Sequence, residues 1–178
     1  MSILDKIQKN VPDCTYHVNI GIGWLNEAIE QYSIDLDPPY QRGYIWTEEQ
    51  ESKFVGACLE NYNTIPPFWF NWKNKEFERD SCEVVDGKQR IKASLRWINN
   101  EIIAQCPCGI KVWYKNLDTI DLRNISTGVM FNWNFVDLGR IAVMQFYIRL
   151  NCGGTIHTEE ELSKVRKLIE NELKTERR

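Results

Sequence analysis

The chain has 178 residues, of which 43% are hydrophobic and 12% aromatic, with a formal net charge of −3 at pH 7. This composition excludes a disordered or low-complexity protein, and the length fits one domain with a sizeable core. The slightly acidic balance excludes a strong overall attraction to nucleic acid and leaves room only for local basic sites.

Targeting segments and metal motifs are absent from the sequence. The N-terminus lacks the apolar stretch of a signal peptide, and no hydrophobic run is long enough to span a bilayer. We therefore expect a cytoplasmic protein whose six cysteines are reduced. Cys106 and Cys108 have the spacing of half a zinc site, but no second ligand pair accompanies them. His17 and His157 belong to no recognisable motif, and we assign them no catalytic role.

The first part of the chain predicts a polar arm followed by the start of a single domain. The arm covers residues 1–14, and the domain covers residues 15–178, because no repeat or flexible linker divides it. Alternation of strand-forming residues predicts a first strand over Thr15–Ile20. A helical pattern follows over residues 23–32, and Ile34–Asp37 reads as a short extended piece.

The middle of the chain carries a clear helix start. Thr47 and Gln50 match a capping box, which predicts a helix from this point to about Tyr62. The aromatic run Phe68–Trp72 predicts a strand, and the polar residues 73–81 predict a turn or hairpin loop.

The next elements surround a short polar junction. A strand ending at Glu83–Val85 is expected before a helix that runs from Gln89 to about Asn99. Two further strands are predicted, at Ile102–Ile103 and at Ile110–Tyr114. Residues 115–139 mix short apolar pieces with turn formers, and no element is predicted there.

The last part of the chain predicts two helices. The first runs from Leu138 to Leu150 and is stopped by the turn formers Asn151–Gly154. A second capping box beginning at Thr158 opens a charged helix over residues 158–178. The mixed charges of this C-terminal helix indicate a solvated face or a contact in a homo-oligomer.

The junction Asp86–Arg90 is the segment with the clearest chemistry. Gly87 lets the chain turn tightly between strand and helix and lets a ligand approach the backbone. The helix start offers unpaired N–H groups and the positive end of its dipole. Lys88 and Arg90 add cations, and Arg90 can hold a phosphate with two parallel hydrogen bonds. The segment therefore predicts a phosphate or nucleotide site.

Each candidate residue also has a structural alternative. Arg90 binds phosphate or pairs with Asp86 to brace the turn. Asp86 itself holds a metal ion, positions a water, or caps the helix. Gln41 hydrogen-bonds a ligand or satisfies backbone groups of an irregular segment, and Arg42 binds a ligand or forms a salt bridge. Trp46 is a core residue or a platform for a base.

Three segments occur in an order that carries a family resemblance: Pro39–Arg42 with Trp46, Val85–Arg90, and Arg149–Gly154. Together they resemble the N-terminal domain family of the GmrSD-type restriction endonucleases, which belongs with the ParB and sulfiredoxin superfamily of folds. The resemblance extends from about residue 15 to about residue 170. It implies an α+β fold, with a mixed sheet flanked by helices and a helical C-terminal piece.

The resemblance also implies a nucleotide function. The family's usual box is Asp-Gly-Gln-Gln-Arg, and Lys88 stands here in place of its first glutamine. Our leading hypothesis is a domain that binds or hydrolyses a nucleoside triphosphate with Mg²⁺ in a restriction-like or phage–host conflict system. Its candidate nucleotide- and phosphate-binding residues are Gln41, Arg42, Gly87, Lys88, Gln89 and Arg90. Asp86 is the candidate catalytic and metal-binding residue, and Tyr40, Trp46 and Asn151 are the candidate pocket lining.

Partners and rival functions follow from the same comparison. Family members usually carry a C-terminal HNH-type nuclease, and no His-rich motif of that kind is present here, so DNA and a nuclease acting in trans are the expected partners. Sulfiredoxin chemistry requires a cysteine in the phosphate-binding turn, and Asp86–Arg90 contains none. Two alternatives stay open: a non-catalytic regulatory module that binds DNA or protein, and a ParB-like nuclease using Asp86 and Glu83.

Overall fold

The computed structural model describes residues 14–61, 63, 65–73, 82–151 and 159–176. Within these ranges the chain is α+β, as the sequence predicts. The strands are β1 (Tyr16–Gly21), β2 (Ile34–Asp35), β3 (Phe68–Trp72), β4 (Cys82–Asp86), β5 (Ala104–Gln105), β6 (Lys111–Val112) and β7 (Met130–Val136). The α-helices are α1 (Leu25–Gln31), α2 (Glu48–Glu60), α3 (Lys88–Ile98), α4 (Thr119–Gly128), α5 (Arg140–Asn151) and α6 (Glu159–Glu176).

A mixed five-stranded sheet with the order β1-β7-β3-β4-β2 forms the centre of the fold. The β1–β7 and β3–β4 pairs are antiparallel, and the β7–β3 and β4–β2 pairs are parallel. Strand β7 therefore lies inside the sheet, with Trp133 opposite Val18 of β1 on one side and opposite Phe68 of β3 on the other. Strands β5 and β6 form a separate antiparallel ribbon.

Two hydrophobic cores lie on opposite faces of this sheet, as strand β4 shows. Successive side chains of a strand point to opposite faces. Cys82 and Val84 join the larger core with residues of α2 and α3, whereas Val85 joins a second core with residues of α5 and Val165 of α6. Because helices cover both faces, the apolar residues of β4 are all fully buried.

Several predicted elements are confirmed. Thr47 and Gln50 form the predicted capping box, in which each side chain accepts a hydrogen bond from the backbone N–H of the other. Strand β3 has the predicted bounds Phe68–Trp72. Helix α3 begins one residue before the predicted start. Helix α5 covers Arg140–Asn151, where a helix over Leu138–Leu150 was predicted.

Two predictions for the second half of the chain are wrong. The first strand of the small ribbon lies at Ala104–Gln105 rather than at Ile102–Ile103, because Ile102 fills the larger core. The segment 115–139, for which no element was expected, contains helix α4 and the interior strand β7.

Other predicted features lie outside the described residues. They include the N-terminal arm up to residue 13, residues 74–81 of the turn predicted over 73–81, and the segment 152–158 that holds the second capping threonine. In the ranges that are described, no helix is long and apolar enough to cross a membrane.

The burial of Cys58 in helix α2 generates a test of the larger core. Burial raises the pKa of this thiol to about 12, so little thiolate forms near pH 8.5, the usual pKa of a free cysteine. We expect Cys58 to be alkylated by iodoacetamide at least about a hundredfold more slowly in the native protein than in guanidinium chloride. Peptide mass spectrometry measures both rates, and the exposed Cys14 is the internal control. Fast native labelling of Cys58 would contradict this packing.

Candidate functional site

A pocket of about 490 Å³ opens where the end of β4 meets the start of α3. This volume lies in the range of small-molecule and cofactor sites. The predicted site residues that line it are Gln41, Arg42, Trp46, Asp86, Gly87, Lys88, Gln89, Arg90 and Asn151. The structure adds four lining residues that sequence reasoning missed, namely Pro66, Val85, Tyr147 and Leu150. Val85 and Leu150 lie within two of the three motifs but were not among the candidate site residues. No motif marks Pro66 and Tyr147, whose position at the pocket depends on the tertiary fold.

Gly87 shapes the floor of the pocket. It is the N-cap of α3 and has a left-handed backbone conformation with φ 111°. A Cβ atom at this position would lie 2.4 Å from Cδ1 of Phe68, so both the backbone and the packing require glycine.

The first turn of α3 presents backbone donors at the pocket. The N–H of Ile91 donates to the carbonyl of Gly87 at 2.9 Å, and the three preceding N–H groups have no acceptor within the helix. Gly87 has no side chain that could cap them. Amides in this arrangement, together with the helix dipole, favour an anion.

Gln41 and Tyr40 connect the first motif to strand β4. Gln41 Nε2 donates to the carbonyl oxygens of Val84 at 3.0 Å and Val85 at 2.8 Å. The Tyr40 hydroxyl, buried within the second core, donates to the same Val84 carbonyl at 3.4 Å. Burial, followed by the nearby carboxylate of Glu83, raises the pKa of Tyr40. Gln41 thus satisfies backbone groups, and Tyr40 lies behind the pocket wall, in an adjoining hollow.

Lys88 holds the backbone of the first motif. Its ammonium donates to the carbonyl of Arg42 at 2.8 Å and lies 2.7 Å from Oδ1 of Asp37. Lys92, one turn further along α3, lies 2.9 Å from the other carboxylate oxygen of Asp37. The hydrogen bond from Lys88 is the main cause that lowers the pKa of Asp37. With 4% of its side chain exposed, Lys88 acts first as a structural cation.

Gln89 holds the following part of the same loop. Its Oε1 accepts hydrogen bonds from the N–H groups of Ile45 at 3.1 Å and Trp46 at 3.2 Å. Its Nε2 donates to the carbonyl of Gly43 at 3.1 Å. The ring of Trp46 packs at 5.3 Å from that of Phe54 on α2 while it lines the pocket.

Arg90 braces the junction. Its guanidinium donates to the carbonyl of Pro66, to the carbonyl of Pro67 at 3.2 Å, and to Oδ2 of Asp86 at 2.6 Å. It also lies over the ring of Phe68, 4.3 Å from the centroid. Burial lowers the pKa of Arg90, and Asp86 opposes this effect. The pairing of Arg90 with Asp86, one of the two interpretations from sequence, is therefore present.

Arg42 is the cation least engaged by the pocket's own residues. Its guanidinium Nη1 lies 3.8 Å from Oε2 of Glu161 on helix α6, and 11% of the side chain is exposed. Its backbone is hydrogen-bonded to the hydroxyl of Tyr147. At the end of α5, Asn151 Nδ2 donates to the carbonyl of Tyr147 at 2.8 Å, in keeping with a helix-end role.

Asp86 and Glu83, the two acids of the alternative nuclease hypothesis, do not line the same pocket. Asp86 lines the pocket with 35% of its side chain exposed. Glu83 is 2% exposed, accepts from Asn71 Nδ2 at 3.3 Å, and lies 3.7 Å from Lys73 Nζ. Nowhere in the described ranges do three or more His, Cys, Asp or Glu residues cluster as metal ligands.

The family assignment now follows from comparison. Residues 24–176 match the family described as the GmrSD restriction endonuclease, N-terminal domain. The chain belongs to this family. The resemblance carried by the three motifs is thereby confirmed, and the GmrSD N-terminal domain relates this chain to restriction systems. No curated protein and no solved structure matches the chain.

Gly87, in the junction of β4 with α3, and Gly43, in the loop held by Gln89, generate a matched test. Gly87→Ala places a left-handed non-glycine residue against Phe68, and we expect it to lower the free energy of unfolding by about 2 kcal/mol or more. Gly43→Ala is the control, because an added Cβ there has open space. Urea unfolding followed by tryptophan fluorescence measures both. Equal stability of the two variants would contradict the close approach of Gly87 to Phe68.

Proposed function

We propose that this GmrSD N-terminal domain binds a nucleoside triphosphate, with its phosphates at the start of α3. One observation carries the proposal: Arg42 and the residues Gly87–Arg90, which begin α3 without a side-chain cap, line the same pocket of about 490 Å³. Amides and helix dipole attract an anion, and an arginine can add two parallel hydrogen bonds to it.

The individual residues would divide the work. Arg42 and the first-turn amides of α3 would hold phosphate oxygens, and Trp46 would offer an apolar ring to the nucleoside. Lys88 and Gln89 would keep Arg42 and Trp46 in position through the loop backbone. Arg90 would keep the junction rigid through its bonds to Asp86 and the proline carbonyls.

Asp86 is the residue suited to Mg²⁺. Magnesium in nucleotide sites is commonly held by one or two carboxylates and the substrate phosphates, so a single exposed carboxylate fits this ion. Asp86 Oδ2 accepts from Arg90, which leaves Oδ1 for a metal or a water. A bound Mg²⁺ would supply neutralisation of phosphate charge, and Asp86 would orient the attacking water.

A regulatory module that binds a nucleotide without turnover is the second candidate. It is favoured by the restraint on Asp86, whose carboxylate is tied to Arg90 at 2.6 Å. In either case the nucleotide would act within a restriction-related or phage-defence system, with DNA and a nuclease subunit as partners.

Replacement of Arg42 tests the binding proposal. We expect Arg42→Gln to weaken triphosphate binding about 10- to 100-fold, because a charge-assisted hydrogen bond is lost. Isothermal titration with ATP, GTP, CTP and UTP, each with Mg²⁺, provides the dissociation constants. Arg123→Gln, on the exposed side of α4, is the matched control and should bind as the wild type does. Absence of binding by the wild type would refute the proposal.

Replacement of Asp86 separates the two candidates. Asp86→Asn keeps an acceptor for Arg90 and removes the charge that a metal or water requires. If the domain hydrolyses nucleotides, we expect phosphate release to fall at least about a hundredfold while binding without Mg²⁺ persists. A phosphate-release assay measures turnover. If the wild type binds a triphosphate tightly and releases no phosphate, the domain is a non-catalytic regulatory module.

A further inference from the structure

Arg42 stands between two cavities. Besides the main pocket, a hollow of about 190 Å³ lies between the loop 39–43, Tyr147 and one face of helix α6. Arg42 lines both cavities, and the residue paired with its guanidinium, Glu161, lines only the hollow. The cation assigned to the ligand is therefore held by the C-terminal helix.

Helix α6 is attached to the domain by residues that follow its first turn. Val165 is buried in the second core, and Leu168 and Ile169 pack against that core, which also contains Tyr40 and Tyr147. Further along, Glu172 of α6 accepts from Arg140 of α5 at 3.3 Å. In the first turn, Glu161 lines the hollow together with Tyr40 and Tyr147.

The pair of Arg42 with Glu161 is weak as an ion pair. Nη1 and Oε2 are 3.8 Å apart, and 11% and 25% of the two side chains are exposed. A phosphate carries more charge than a carboxylate and can accept two parallel hydrogen bonds from one guanidinium. A phosphate in the main pocket therefore competes with Glu161 for Arg42.

We propose that Glu161 is a positioning residue that withholds Arg42 from the ligand, so that nucleotide binding and the docking of the first turn of α6 oppose each other. The inference rests on the proposed nucleotide function. Such a coupling is reciprocal: the factor by which the docked helix weakens the nucleotide is the factor by which the nucleotide weakens the docking. Nucleotide binding in the main pocket thereby changes the docking of the C-terminal helix α6.

The first test measures affinity in matched variants. Glu161→Gln removes the charge with little change of shape, and we expect it to bind the preferred triphosphate about two- to fivefold more tightly than the wild type, as suits a weak ion pair. Glu160→Gln is the control, because this 83% exposed side chain pairs within α6, with Lys164. In an Arg42→Gln background, Glu161→Gln should add no gain, since the residue it restrains is absent.

The second test follows the helix itself. Hydrogen exchange with mass spectrometry should show faster exchange in the first turns of α6 when ATP, GTP, CTP or UTP, whichever binds, is added to the wild type. The same addition to Glu161→Gln should change this exchange less. Far-ultraviolet circular dichroism and thermal unfolding check that the variants remain folded.

The outcomes distinguish the role of Glu161 from the proposed binding of a nucleoside triphosphate. Binding by the wild type with equal or weaker affinity in Glu161→Gln overturns the inference and leaves the nucleotide function standing. Absence of binding in every variant overturns both.

Discussion

Reciprocal hydrogen bonding between the loop over residues 40–46 and the junction of β4 with α3 is the constraint on which the site depends. A loop without regular structure must still pair its backbone groups. Here Gln41 reaches across to the carbonyls of β4, and Lys88 and Gln89 reach back to the loop. The first two motifs are therefore two halves of one hydrogen-bonded unit, and the pocket lies between them.

This unit also explains which groups remain for a ligand. Each hydrogen bond between a side chain and the backbone contributes about 1 kcal/mol, and together they fix the loop at the start of α3. Gln41, Lys88, Gln89 and Arg90 are used in this way. Arg42 also lines the pocket, and its guanidinium lies 3.8 Å from Glu161 of α6. A rigid frame of this kind reduces the entropy that binding must overcome.

The sequence predicts the elements that depend on neighbouring residues, and it does not predict the elements that depend on tertiary contacts. The capping box at Thr47 and the aromatic strand Phe68–Trp72 depend on neighbouring residues and were found. Strand β7 was missed because Asn132 and Asn134 resemble turn formers, although Phe131, Trp133 and Phe135 fill the core. Nine of the predicted site residues line one pocket. The sequence does not reveal that the side chains of Gln41, Lys88 and Gln89 are hydrogen-bonded to backbone carbonyls of segments distant in sequence.

The salt bridge of Lys88 with Asp37 makes the two positions unequal in the substitutions they tolerate. Lys88 is buried, and its ammonium is neutralised by Asp37, which precedes the loop over residues 40–46 and lies 2.7 Å away. Loss of Asp37 would leave this ammonium as an uncompensated buried charge. Loss of the Lys88 charge would leave Asp37 paired with Lys92 at 2.9 Å, so a neutral residue is easier to accommodate at position 88 than at position 37.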